Sequence, residues 1–311
     1  MKPTHVLVVG ASGSIGRHAV EKARAAGYRV RALVRDPSRI HFGCGVEVVQ
    51  GDLTSVESMR QALDGIDGIV FTHGSNGGPT LTETVDYGAV RNALEALDGR
   101  PARIALMTSI GVTNMDNDYN RSTEAHDWKR HSERLVRASG NEYTIVRPGW
   151  FDMEGADEHQ LKFEQGDRRD PMGPQDGSAA RRQVAQTLVD ALGCKEADHK
   201  TLELIDVAGT AQTDAELASM FAALQPDTGL DGVLDRDNFP ECTQPKRVRE
   251  QIARIETMRA EQCAAAIQAR STAHLTSLKQ TGRQRHEQAI GRIHLRHRHH
   301  AAGGTEPREG D

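Results

Sequence analysis

Aromatic side chains are scarce in this chain of 311 residues, at 4 %, while Gly and Ala are plentiful, which suits helices packed closely on a sheet. Cysteine is scarce too. Cys44, Cys194, Cys242 and Cys263 stand far apart without a CxxC spacing, which excludes a zinc framework or a disulfide scaffold and points to a reducing compartment. No apolar run approaches the roughly 20 residues needed to span a bilayer. One lysine precedes the first apolar run and no signal-peptide pattern is present, so a soluble cytoplasmic protein is expected. There is no large excess of one charge either. A formal net charge of −5 argues against a nucleic-acid partner. The length allows one large α/β domain or two small ones, with a substantial core.

What is present is concentrated in the first forty residues. Val6-Leu7-Val8-Val9 is a short apolar run, Gly10-Ala11-Ser12-Gly13-Ser14-Ile15-Gly16 follows at once, and His18 to Ala26 reads as a helix. A second apolar run, Val30 to Val34, ends in Arg35-Asp36-Pro37. Strand, glycine turn and helix in this order hold a pyrophosphate. Glycine lets backbone approach the phosphates, and the helix turns its unpaired N–H groups and positive dipole end toward the anion. A bare glycine triplet is weak evidence; one set inside a βαβ unit is not.

The alternation continues. Strands are expected at 46–50, 68–72, 104–108, 143–146 and 201–207, and helices at 56–63, 82–97, 122–138, 178–192 and 213–224. Asp98-Gly99 with Pro101 beyond gives one helix stop, and Thr213 with Glu216 one capping box. This rhythm implies an α/β, Rossmann-type, doubly wound parallel sheet with a small C-terminal substrate or lid portion. The expected division is a domain over 1–225 with its lid within 149–205, a linker over 226–245, and a basic tail over 246–311, helical or disordered. In that tail only Glu250, Glu256, Glu261 and Glu287 oppose the Arg and His residues of 246–300. It reads as a solvated or self-associating helix, open to a homo-oligomeric or protein partner. Residues 227–237 are acidic but lack the spacing of a calcium loop, and His294, His297, His299 and His300 read as a solvated tail.

Arg35 at the end of the second strand suits the 2′-phosphate of NADP, whereas Asp36 keeps NAD open; NADP(H) is expected over NAD(H). Asp52, in Gly51-Asp52-Leu53, reads either as a contact to the adenine amino group or as an N-cap for the next helix. Thr72-His73-Gly74 offers small residues along the ribose, with His73 equally readable as a plain loop histidine.

Taken with Thr108-Ser109-Ile110-Gly111 and Tyr143-Thr144-Ile145-Val146-Arg147-Pro148-Gly149, these motifs resemble the extended short-chain dehydrogenase/reductase superfamily over about residues 4–225. The likeness is to its atypical NAD(P)H-binding, NmrA-like branch and to flavin or biliverdin reductases. The resemblance implies a cofactor set of Gly10, Ser12, Gly13, Ser14, Ile15, Gly16, Arg35, Asp52, Leu53, His73, Gly74, Ser109, Lys129 and Pro148. It also implies a Ser, Tyr, Lys arrangement in which an ammonium lowers the pKa of a phenol. Ser109 fits the serine and Lys129 the lysine, but the tyrosine position is Ala125, which transfers no proton. Tyr119, His126, Trp128 and His131 lie nearby and read as surface or packing residues; Lys129 is then a ribose contact. Two functions follow as expectations. One is NADPH-dependent reduction of a small conjugated acceptor, which needs no dedicated acid. The other is non-catalytic sensing of NADP(H). A sugar-nucleotide epimerase, which also needs the tyrosine, fits less well.

Overall fold

A computed structural model describes residues 2–75, 77–169, 173, 175 and 177–270. It divides into a compact unit, Met1–Ala260, and a second unit, Glu261–Asp311, of which residues 261–270 are described and helical. The histidines of the tail lie outside the described residues.

β1 (His5–Val9) is buried along its whole length, as a continuous apolar run demands of a central parallel strand. Val6 and Val8 enter one core layer, and Leu7 and Val9 enter the other. α1 (Ser14–Ala25) follows, then β2 (Arg29–Val34), β3 (Val46–Gln50), α2 (Val56–Ala62) and β4 (Gly68–Phe71). Next come α3 (Pro79–Leu81), a π-helical stretch (Thr82–Tyr87) and α4 (Gly88–Leu97). α4 ends as expected, with Asp98 and Gly99 at φ 50° and 74°. β5 (Arg103–Met107), α5 (Asp118–Thr123), α6 (Ala125–Ala138) and β6 (Tyr143–Pro148) complete the first part. Beyond them lie β7 (Trp150–Phe151), β8 (Gln160–Glu164), β9 (Ser178–Ala179), α7 (Arg181–Gly193), β10 (Lys200–Val207) and α8 (Asp214–Ala223).

The main sheet runs β3-β2-β1-β4-β5-β6-β10-β8, with β8 antiparallel to β10 and every other pair parallel. α1 and α7 pack on one face; α2, α4 and α6 pack on the other. The doubly wound fold is thus observed, and the strand order reverses between β1 and β4, where such sheets bind ligands. Among the described residues no helix is long and apolar enough to cross a membrane.

Three details differ from the sequence reading. The helix expected over 122–138 is two helices, because Glu124 adopts φ 52° between α5 and α6. The irregular stretch 152–177 contains β8, whose Leu161 and Phe163 turn inward from an alternating polar frame. The span 226–245, expected as a linker, is packed into the unit, and so is the start of the basic tail: residues 246–260 are helical, and Val248, Ile252 and Ile255 are buried in the core layer that also holds residues of α4 and α6.

What draws 226–245 inward is charge. α6 carries Arg130, Glu133, Arg134 and Arg137, all buried. Arg147 on β6 donates Nε and Nη2 to the two oxygens of Glu133 at 3.0 and 2.6 Å, and Nη1 and Nη2 to Asp235 at 2.7 and 2.8 Å. Arg137 pairs with Asp227 at 3.2 Å, and Arg134 with Asp231 at 2.5 Å. Burial alone would raise the pKa of Glu133, but Arg147 and Arg137 hold it down at about 2. The ring of Phe239 lies under Arg130 and Arg134 and beside His131, with ring centroids 4.8 Å apart.

Removing one partner of a buried ion pair leaves the other charge without compensation. Arg147→Met is therefore expected to cost about 3–5 kcal/mol in urea unfolding. His131 gives a pH dependence. Burial, and then Arg134 and Arg130, push its pKa from 6.5 down to about 3. The unfolded chain binds the extra proton between those values, so stability is fully present above about 6.5 and falls as the pH drops toward 3. His131→Phe is expected to flatten that part of the stability–pH curve.

Candidate functional site

The turn after β1 is shaped by what cannot fit in it. Gly10 has φ 86°, and a Cβ there would stand 2.7 Å from the backbone nitrogen of His73. A Cβ on Gly16 would stand 2.1 Å from the Gly10 carbonyl oxygen. Glycine at these places lets α1 begin directly against the turn. Gly13 is the N-cap; no side chain caps α1 and no acid sits in its first turn, so its N–H groups and dipole face outward for an anion.

A cleft of about 610 Å³ opens over the turn and the ends of β1, β2 and β4. Gly10, Ser12, Gly13, Ser14, Ile15, Arg35, Asp52, Leu53, His73 and Gly74 line it, which brings ten of the expected cofactor residues into one place. Gly16, Ser109, Lys129 and Pro148 are not among the lining residues. Gly16 serves the packing of the turn instead, and the Pro148 carbonyl accepts from Ile110 N at 3.0 Å behind the site.

At the end of the cleft beside β2 Arg35 is exposed. The Asp36 carboxylate is turned the other way: it accepts from Ser38 N at 3.0 Å and Ser38 Oγ at 2.6 Å, capping the helical turn Pro37–Arg39. Asp52 accepts from Thr54 N and Thr54 Oγ1, both at 2.8 Å, and those bonds hold its pKa below the usual carboxylate range. The cap of α2 is Ser55, so the N-cap reading of Asp52 does not hold.

The other end is organised by Asp86, which the sequence reading missed. Asp86 ends the π-helical stretch one residue before its close, accepts from Ser75 N at 2.9 Å, and forms a salt bridge with Lys129. Burial would raise its pKa, but the Lys129 charge holds it low. Its backbone carbonyl meets His73 Nε2 at 3.0 Å. Burial also lowers the pKa of His73, which keeps that imidazole neutral near pH 7. Lys129 therefore stands one residue behind the cleft wall and stiffens it through Asp86. Ala125 is buried. Tyr119 lies in α5, 57 % exposed, with its ring 5.5 Å from that of His126. The buried Trp128 donates Nε1 to Glu124 at 2.9 Å. Leu81, Val85, Met107 and Phe151 give this end an apolar lining.

Two polar atoms of lining residues at this end are buried without a hydrogen-bond partner, His73 Nδ1 and Ser75 Oγ; the Ser109 Oγ, two residues beyond β5, is likewise without one but lies outside the lining. Such atoms are costly unless something meets them. With the uncapped start of α1 they fit a dinucleotide lying along the cleft. The turn residues 10–16 would hold its phosphates, Arg35 and Asp52 its adenosine part, and the 73–75 loop its other ribose and base. Once bound, a nicotinamide cofactor supplies hydride chemistry.

Comparison with known proteins agrees. A family model described as NAD(P)H-binding matches residues 10–195. The chain is 27 % identical over 245 residues to sanguinarine reductase of Eschscholzia californica, which covers 65 % of this chain and 89 % of that protein. A solved structure assigned as an NAD-dependent epimerase/dehydratase, from Bacillus halodurans, has a TM-score of 0.59 at 21 % identity, covering 71 % of this chain and 100 % of that one. The oxidoreductase ylbE of Lactococcus lactis gives 0.56 at 18 % identity, covering 72 % and 100 %. At those identities the two structures bear on the fold alone.

Gly10→Ala adds a Cβ where neither φ nor space allows one, and is expected to cost about 2 kcal/mol in thermal unfolding. It should also abolish nucleotide binding in a calorimetric titration. Gly13→Ala, whose Cβ would sit 3.1 Å from the Gly10 oxygen at φ −71°, should lose much less in both measurements.

Proposed function

The chain belongs to the NAD(P)H-binding family, of atypical short-chain dehydrogenase/reductase type, and on that premise we propose that it is an NADPH-dependent reductase of a small conjugated acceptor. The observation that carries this reading is Ala125, buried where the resemblance places the acid/base tyrosine. Alcohol and ketone chemistry needs a proton at the carbonyl oxygen as hydride leaves or arrives. A quinone, flavin or similar acceptor takes hydride into a delocalised system and draws its proton from water, so orientation carries most of the catalysis. The apolar lining from Leu81, Val85, Met107 and Phe151 supports a flat, apolar acceptor. The sanguinarine reductase relative bears the name of a reductase, which is the same reaction class.

NADPH is favoured over NADH by two side chains. Arg35 lines the cleft from an exposed position, and Asp36, the carboxylate that would prefer a free ribose 2′-hydroxyl, is engaged with Ser38. A second reading, non-catalytic sensing of NADP(H), draws on the tying of Lys129 to Asp86 and the burial of His73, which leave that end of the cleft without a free acid among the described residues. On that reading the helical basic segment from residue 246 is a candidate surface for a protein partner.

Arg35→Ala is expected to weaken NADP by roughly 10–100-fold, the worth of one charge-assisted contact, and to leave NAD nearly unchanged. Equal losses for both would overturn the NADP assignment. NADPH consumption followed by absorbance should show turnover with quinones and flavins and none with simple ketones. Tight binding with no turnover on any acceptor would favour the sensing reading.

A further inference from the structure

We propose that Arg181 is a second anion-binding side chain of the cleft, contacting the cofactor pyrophosphate from the side of the lid, and that Asp152 competes with the pyrophosphate for it. The proposal rests on the NAD(P)H reading of the cleft and adds a residue that no motif in the glycine turn supplies.

Arg181 opens α7, which packs against α1. Its Nε donates to Ser14 Oγ at 3.1 Å, and Ser14 is both the first residue of α1 and part of the cleft wall. Its guanidinium carbon stands 5.1 Å from the ring centroid of Phe151, another lining residue. The guanidinium is therefore one side chain away from the phosphate-binding turn, on the substrate side. Among the described lining residues Arg35 is the one arginine or lysine, and it stands at the adenosine end. Among the described lining residues, the two phosphate charges would otherwise meet backbone N–H groups, the neutral hydroxyls of Ser12 and Ser14, and the dipole of α1. Arg17, the nearest other cation on α1, donates Nε to the Ser12 carbonyl at 3.2 Å and lines a different pocket with His41 and Phe42.

Asp152 holds Arg181 by a salt bridge to the guanidinium and by accepting the Arg181 backbone N–H at 2.9 Å. The Asp152 side chain is 50 % exposed and that of Arg181 32 %. An ion pair this open to water is weak. A pyrophosphate offers more charge and several acceptor oxygens to the same planar fork, so exchange favours it. The guanidinium is already ordered by Ser14 and Phe151, which lowers the entropic cost of making the contact. Asp152 would keep the backbone N–H, so the segment around it would stay attached to α7 as the guanidinium turns to the pyrophosphate.

The test is calorimetric titration of the full chain with NADP+ and with NAD+. Arg181→Ala should weaken both by the same factor, about tenfold, whereas Arg35→Ala acts on NADP alone; the pyrophosphate is common to the two. Asp152→Asn should tighten both, and the gain should vanish in the Arg181→Ala background. A gain that persists there would mean general repulsion by Asp152 and overturn the exchange. Unchanged affinities in Arg181→Ala, or a loss confined to NADP, would overturn the contact. Should Arg181→Ala fail to fold, Arg181→Gln with Asp152→Asn gives the same cycle, since Gln keeps the length of the side chain and loses its charge. A native chain that binds neither nucleotide would instead overturn the cofactor reading beneath it.

Discussion

The backbone of residues 10–16 passes so close to the end of β4, and to itself, that no side chain can be added at Gly10 or Gly16. This steric constraint governs the rest of the site. It brings α1 against β1 with its first turn free of a capping side chain, and it sets the His73 loop directly across from the turn. A cleft follows where the connections leaving two neighbouring strands run to opposite faces of the sheet, as those after β1 and β4 do at the reversal of strand order. Every lining residue, from Arg35 on one side to Phe151 on the other, is placed relative to that contact.

A second constraint holds the wall at the far end. α6 stands where the superfamily presents its tyrosine and lysine, and its charged inner face is satisfied by carboxylates from 227–235 and by Glu133 paired with Arg147. Such a network gains little over an apolar core of the same volume, because each charge has lost its water. Its strength is directional: a bidentate guanidinium accepts one orientation of each carboxylate. The arrangement fixes α6 against β6, and so fixes Lys129, Asp86 and the 73–75 loop in turn. Apolar packing alone tolerates small slides that would misplace that loop.

Features governed by neighbours in the chain were legible in the sequence. The glycine turn, the Asp98-Gly99 stop and the Thr213–Glu216 capping box are local arguments, and each is found as read. β8 was legible in principle, since Gln160 to Glu164 alternates polar and apolar, but a five-residue run among glycines, prolines and charges does not stand out. Partnerships across the chain were not legible. Asp86 and Lys129 are 43 residues apart, and Ser14 and Arg181 are 167 apart. The acidic run at 227–237 carries a further signal: its aspartates complement the arginines of α6 and Arg147 of β6, and a buried arginine requires such a partner.

The two departures from the superfamily pattern account for one another. A lysine in that position depresses the pKa of a phenol by presenting an uncompensated ammonium beside it. With alanine at 125 there is no phenol to act on, and a half-buried ammonium left alone beside the cleft would carry an unpaired desolvation cost. Asp86 removes that cost and, through its second oxygen, fastens Ser75 N. On the proposed reading the lysine no longer tunes a proton donor and instead braces, through Asp86, the loop at Ser75. Within the proposed reductase, what remains for the protein to supply at this end is placement: a rigid wall, an apolar seat for the acceptor, and a cofactor held by its charged parts.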